Sequence, residues 1–159
     1  AYWEQQRSKL QAAGLEGSFT YHGAVDRPAK LRFLSRIDVL CVPTTYQEPK
    51  GLFVLEGLAA GVPYVLPAHG AFPELHARLG GGRLFPPGDV QAAAEQLLDL
   101  LRNPQLADQL GAAGRRAVLE KATIEHEAGE FMAHLSRLGG GGNDAASGAA
   151  GVDGAVPRR

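Results

Sequence analysis

Apolar and polar positions along the chain fall into two rhythms, one helical and one strand-like, that alternate from the start. From Trp3 to Ala13 the apolar residues Trp3, Leu10 and Ala13 recur at helical spacing, and Gly14 is a natural stop. FTYHGAV reads as a short strand. Asp26 and Pro28 supply a cap and a first turn for a helix to Ser35, and IDVLCVP follows as a continuously apolar strand of the kind buried on both faces of a parallel sheet. The polar loop TTYQEPK leads to a helix, GLFVLEGLAA, which Gly61 stops before the apolar strand PYVLP and a second short loop, AHGAFPE. RLF is a weak strand. Asp89 caps a helix over Val90 to Arg102, Asn103 and Pro104 begin another to about Glu120, and Thr123 caps a last one to Leu138.

This order predicts an α/β fold, a doubly wound parallel sheet with right-handed crossovers and ligands at the carboxyl ends of its strands. Three loops lie at that edge: Gly23 to Asp26, Thr44 to Gly51 and Ala68 to Glu74. A start directly in an amphipathic helix suggests an N-terminally truncated domain over residues 1–138. Residues 139–159 have too little apolar content to fold and are expected to form a disordered Gly/Ala-rich tail.

Composition changes this picture little. With 159 residues, 45% of them hydrophobic, the chain suits one domain with a real core. Sixteen basic against seventeen acidic residues, with no run of like charge, disfavour nucleic acid as a partner. The single Cys41 excludes an intrachain disulfide, fits a reducing compartment and reads as a core residue. No apolar stretch reaches the roughly 20 residues that span a bilayer, and the charged start is not a signal peptide. The expected location is the cytoplasm.

The chemistry concentrates in EPKGLFVLEGLAAG, Glu48 to Gly61. Glu48 and Glu56 are eight positions apart, but Pro49 disfavours helical geometry at Glu48, so Glu48 belongs to the loop and Glu56 to the second turn of the helix. The amides of Gly51, Leu52 and Phe53 are expected to point outward at the helix mouth, where the dipole favours an anion by about 0.3–1 kcal/mol. A diphosphate fits there. Carboxylates would repel it at close range, yet make sense as acceptors for neutral hydroxyls on either side, each such bond being worth roughly 1.5–3 kcal/mol. A diphosphate flanked by hydroxyls is a nucleotide sugar. An exposed loop carboxylate and a solvated helix position are the plain alternatives for Glu48 and Glu56.

The pattern E-P-x-G-L-x-x-L-E-x-L-A-A-G-x-P, followed by a strand, HGAFPE and PPGD, resembles the C-terminal, donor-binding domain of retaining GT-B glycosyltransferases of the family 4 type, the "glycosyl transferases group 1" family, over roughly residues 1–138. The resemblance implies a Rossmann-like half of a GT-B fold. It further implies a hexosyltransferase that acts on a nucleotide-diphosphate sugar with retention and without a metal or other cofactor. Glu48 matches the glutamate that contacts the donor sugar and supports charge at its anomeric carbon. Glu56 matches the one that binds the ribose. Gly51, Leu52 and Phe53 match positions whose backbone reaches sugar and phosphate, and Gly23, Ala24 and Val25 match the loop near the nucleotide base.

Three positions depart from the family pattern. Lys50 stands where an aromatic or aliphatic residue is usual, Gly57 replaces an alanine inside the helix, and Ala71 replaces the second glycine of a Gly-Gly pair. The family's basic Arg and Lys pair on the diphosphate and its N-terminal acceptor domain both precede the matched region, so Lys50 is a candidate for part of the missing charge. The acceptor, a glycan, lipid or small molecule, is expected to enter through that missing domain. Peripheral membrane association of the parent stays open.

Other motifs point away from other chemistry. In HEAGEFMAH, Glu130 occupies the place where a zinc-binding helix needs its second histidine, so no metal is expected. GGGR, Gly80 to Arg83, reads as a flexible turn, and no Gly-x-Ser-x-Gly elbow is present. The competing readings are a non-catalytic nucleotide-sugar-binding module or inactive fragment and a nicotinamide-binding Rossmann domain, which lacks its glycine-rich first turn here. The isolated chain is expected to bind donor weakly and not to turn it over.

Overall fold

A computed structural model of the chain describes residues 2–139, so the expected tail lies outside the described residues except for Gly139, which ends the last helix. The described residues divide into two compact units, one up to Arg36 and one from Ile37 onward.

The first unit holds α1 (Tyr2–Ala12) and α2 (Arg27–Leu34). Asp26 caps α2 as expected, its Oδ1 accepting the Ala29 amide at 2.8 Å, and Ser35 closes it. FTYHGAV, however, is not a strand. A strand exists only as part of a hydrogen-bonded ladder, and within this unit the described residues offer no second strand to pair with. Aromatic packing orders the segment instead: Trp3 stacks on Tyr21 at 4.2 Å and meets Phe19 edge-on at 5.7 Å, while His22 meets Phe33 at 5.3 Å.

The second unit contains β1 (Leu40–Cys41), α3 (Leu52–Ala59), β2 (Tyr64–Pro67), α4 (Phe72–Leu79), β3 (Gly82–Phe85), α5 (Val90–Arg102), α6 (Pro104–Lys121) and α7 (Ile124–Gly139). The three strands pair in parallel in the order β1-β2-β3. All four residues of β2 are buried, and Tyr64, Val65 and Leu66 alternate between two cores. Tyr64 and Leu66 face Val54, Leu58, Phe72, Leu79 and Val118, whereas Val65 faces Phe85, Ala93, Leu100 and Ala107. The period of two in a strand thus puts α3 and α4 on one face and α5 on the other, the doubly wound arrangement expected. Leu58 is wholly removed from solvent, a burial worth roughly 1.5–3 kcal/mol.

Three expectations change. The IDVLCVP run yields only a two-residue strand, half-buried rather than enclosed on both faces, and among the described residues it pairs with β2 alone. AHGAFPE is a loop only as far as Ala71. From Phe72 onward the chain is helical, with Pro73 in the first turn and Phe72, Leu75 and Leu79 at helical spacing toward the core. GGGR is not wholly a turn either. Gly80 and Gly81 turn, but Gly82 already pairs with Tyr64, whose ring leaves no room for a Cβ, and Arg83 continues the strand.

Every helix cap read from the later sequence is present. Asp89 accepts from Ala92, Asn103 from Leu106 and Thr123 from His126. Three loops therefore leave the carboxyl ends of the strands in this unit: 42–51 after β1, 68–71 after β2 and 86–89 after β3.

Candidate functional site

The loop after β1 folds back on itself through its own glutamate. Oε1 of Glu48 accepts the amides of Lys50 and Gly51, both at 3.0 Å, across Pro49, whose ring fixes the backbone between them. The two bonds, Gly51's first and Lys50's second, hold the Glu48 carboxyl below its ordinary value of 4.5. Its head lies open to solvent, and Oε2 makes no hydrogen bond among the described residues. One oxygen is anchored and the other is presented.

Gly51 is the N-cap of α3 at φ 66°, and a Cβ there would stand 2.6 Å from Leu75 Cδ1, so the position requires glycine for both conformation and space. The expectation that the Gly51, Leu52 and Phe53 amides all face outward is corrected at Gly51, whose N–H is taken by Glu48. Glu48 reaches it because it sits three residues earlier in a loop that doubles back. The amides of Leu52 and Phe53 make no hydrogen bond among the described residues. Of their side chains, Leu52 is exposed, while Phe53 turns inward against Phe72 at 5.9 Å. Glu56 sits on the second turn of α3, exposed.

The loop after β2 braces this turn. The Ala71 amide donates to the Glu48 carbonyl at 2.8 Å, and His69 Nε2 lies 2.9 Å from the Thr44 carbonyl. A carbonyl only accepts, so Nε2 carries a proton and donates it; Nδ1 is buried and has no hydrogen-bond partner among the described residues. Gly70, at φ 56°, presses so closely on Glu48 that a Cβ would meet the Glu48 carbonyl oxygen at 2.6 Å.

Two of the departures from the family pattern have local explanations. Ala71 adopts φ −75°, which any residue tolerates. Gly57 lets α3 approach β1, since a Cβ there would lie 2.8 Å from Leu40 Cδ2. Lys50 is exposed and contributes its amide to the Glu48 turn, while its side chain makes no ion pair among the described residues.

The structure thus brings Glu48, Lys50, Gly51, Leu52 and Phe53 into one loop and helix start, with Glu56 along the same helix. Gly23, Ala24 and Val25 belong to the first unit, where Gly23 takes φ 63° ahead of the Asp26 cap. Two features escaped the sequence. One is the reach of the His69 imidazole, which only the HG step before a Pro-Glu could have hinted at. The other is an apolar recess of about 520 Å³ at the same sheet edge, lined by Cys41, Thr44, Thr45, Phe85, Ala93 and Leu97 among others. Asp89 also borders it but is engaged in capping α5. Cys41, expected in the core, is half-buried there beside the Val65 cluster, and burial raises its thiol pKa.

The model of the family described as glycosyl transferases group 1 matches residues 2–117. A phosphatidyl-myo-inositol mannosyltransferase of Mycobacterium leprae (strain TN) is 35% identical over 115 residues, 72% of this chain and 31% of its own length. Among solved structures, a sucrose-phosphate synthase from Thermosynechococcus elongatus superposes with a TM-score of 0.73 at 28% identity, over 87% of this chain and 35% of that one. The Anabaena protein HepE in complex with UDP shares the fold at a TM-score of 0.76 and 20% identity, over 86% of this chain and 37% of its own. The chain spans about a third of the length of each of these proteins.

Proposed function

The chain belongs to the glycosyl transferases group 1 family, and from that premise we propose that it is the nucleotide-sugar-binding half of a retaining hexosyltransferase. The observation that carries this reading is the Glu48 turn. Its carboxylate is pinned by two amides on Oε1, presents Oε2 to solvent, and stands before a helix start whose Leu52 and Phe53 amides have no partner among the described residues. The diphosphate would meet those two amides, where the helix dipole adds about 0.3–1 kcal/mol. Oε2 of Glu48 would accept from a hydroxyl of the transferred hexose, and Glu56 would serve the ribose.

In the reaction, the bond between the anomeric carbon and the leaving phosphate oxygen breaks while the acceptor oxygen bonds to that carbon from the same face. The acceptor proton passes to the departing phosphate. Glu48 supports the positive charge that develops at the sugar, and the amides of Leu52 and Phe53 stabilise the leaving diphosphate without rearranging. No metal takes part in this scheme. We assign the parent to the cytoplasm, with an acceptor glycan, lipid or small molecule bound by the part of the protein beyond this chain.

The share of the relatives that the chain spans supports a narrower statement for these 159 residues alone, that they bind donor without turnover. Titration calorimetry with UDP, GDP and ADP sugars tests it. Weak binding of one of the three is expected, modestly weakened in Glu48→Gln when the sugar is present and unchanged for the bare nucleotide. Absence of heat with every nucleotide and nucleotide sugar would remove the reading.

A further inference from the structure

We propose that His69 is a positioning residue, whose Nε2–H bond to the Thr44 carbonyl ties the loop after β2 to the loop after β1 and so sets the place of Glu48. The bond spans 25 positions of sequence at 2.9 Å and reaches the first residue of the polar loop. Two backbone features act on the same turn from the same side: Ala71 donates to the Glu48 carbonyl at 2.8 Å, and Gly70 packs directly over the Glu48 backbone. Glu48 is thereby held at its backbone by residues 70 and 71, at its carboxylate by Lys50 and Gly51, and at the head of its loop by His69.

The state of the ring supports a directed role. Nδ1 is buried and makes no hydrogen bond among the described residues, so the bond to Thr44 is the one polar contact of the ring found there. The Thr44 bond requires Nε2 to carry a proton and to face the neighbouring loop. The ring also lies against Phe72, 5.9 Å away and tilted by 42°, which limits its rotation. The His69 carbonyl meanwhile accepts the Phe72 amide at 3.2 Å, so the turn that leads into α4 starts at the residue that clamps the loop.

The functional half of this inference rests on the donor reading above; the structural half does not. The test uses isotope-labelled chain in three forms: wild type, His69→Phe, which keeps a ring against Phe72 but has no donor, and His69→Gln, which restores one. In the wild type, long-range proton–nitrogen correlation of the imidazole should show Nε2 protonated and Nδ1 bare.

Amide exchange at Gly51 and Ala71 should rise about tenfold in His69→Phe, as expected for the loss of one hydrogen bond, and fall back at least partly in His69→Gln. Exchange at Leu66 and Leu100 in the two cores should stay as in wild type. Affinity for UDP, GDP or ADP, whichever the wild type binds, should weaken about fivefold in His69→Phe, because the amides would be less well placed.

Wild-type exchange at Gly51 and Ala71 in His69→Phe would overturn the proposal, and so would an equal rise in the core amides, which would mark a general loss of stability. Loosened exchange with unchanged nucleotide affinity would overturn the functional half. A wild type that binds no nucleotide sinks the donor reading and leaves the exchange result to decide the clamp.

Discussion

Two helices begin at the same sheet edge, and each has a carboxylate at its start, yet the carboxylates do opposite things. Asp89 sits at the N-cap of α5 and its Oδ1 takes the amide of Ala92, in the third helical position, at 2.9 Å. Glu48 sits three residues ahead of the N-cap of α3 and takes amides that precede the helix, those of Lys50 and Gly51. The first arrangement closes a helix with its own side chain. The second leaves the leading amides of α3 without an internal partner and adds an anchored carboxylate beside them. Side-chain capping of the α5 kind satisfies one of the leading amides from within the chain. The α3 pattern leaves the Leu52 and Phe53 amides without a partner among the described residues, which is the opening that the proposed donor would fill.

The difference can be broken or sharpened by substitution. The largest effect is expected from Glu48→Gln in the parent enzyme, where turnover should fall about 100-fold or more with the loss of charge at the reacting centre. The amide oxygen of Gln still accepts from Lys50 and Gly51, so the urea midpoint should hardly move; a kinetically silent variant would make Glu48 a cap like Asp89. Next comes Gly51→Val, which imposes a left-handed conformation on a β-branched residue and drives its side chain into Leu75. Urea unfolding should show a loss of about 3 kcal/mol. A loss below about 1 kcal/mol would mean that the turn can relax.

Asp89→Ala should cost about 1 kcal/mol of stability and leave nucleotide affinity untouched, since α5 loses a cap and no more. A matching loss of affinity would erase the contrast between the two helix starts. A pH titration gives a smaller signal. The folded Glu48 carboxyl is lowered, so the support its ionised form gives the turn is complete above the ordinary value of 4.5 and is lost as pH falls through the lower folded value. The amide resonances of Gly51 and Lys50 should therefore shift with a midpoint below 4.5, and a midpoint at or above it would contradict the anchoring. Smallest of all, Gly57→Ala should change stability by less than about 0.5 kcal/mol, as better helix propensity is offset by displacement of the Leu40 tip.

The parts of this contrast were unequally legible in the sequence. Asp89, Asn103 and Thr123 could be read as caps because capping is local: an oxygen, two intervening residues and an amide. The assignment of Glu48 to the loop and Glu56 to the helix was equally readable from Pro49. What the Glu48 carboxylate does was not, because nothing in the spelling tells that Oε1 folds back on Gly51. The His69 bond was invisible for a stronger reason, since it joins loops that meet only when β1 and β2 lie side by side. The strand misreadings have the same origin. An apolar run such as VLCVP states that burial is wanted but not how much cover exists, and FTYHGAV has strand composition without a pairing partner in its own unit. α4 was missed because Gly70 and Pro73 at its start and Gly80 to Gly82 at its end read as loop punctuation, which masked the helical spacing of Phe72, Leu75 and Leu79.

α6 places Ala107 in the core on one side of the sheet and Val118 in the core on the other. The two cores therefore share one rod. If either core melted alone, it would have to release an end of a helix that the other still holds, and the frayed remainder would gain little chain freedom in return for the apolar surface it exposed. The second unit should thus come apart in a single concerted step, with β2 opening from both faces together, and the Glu48 loop carried at its edge inherits that all-or-none footing.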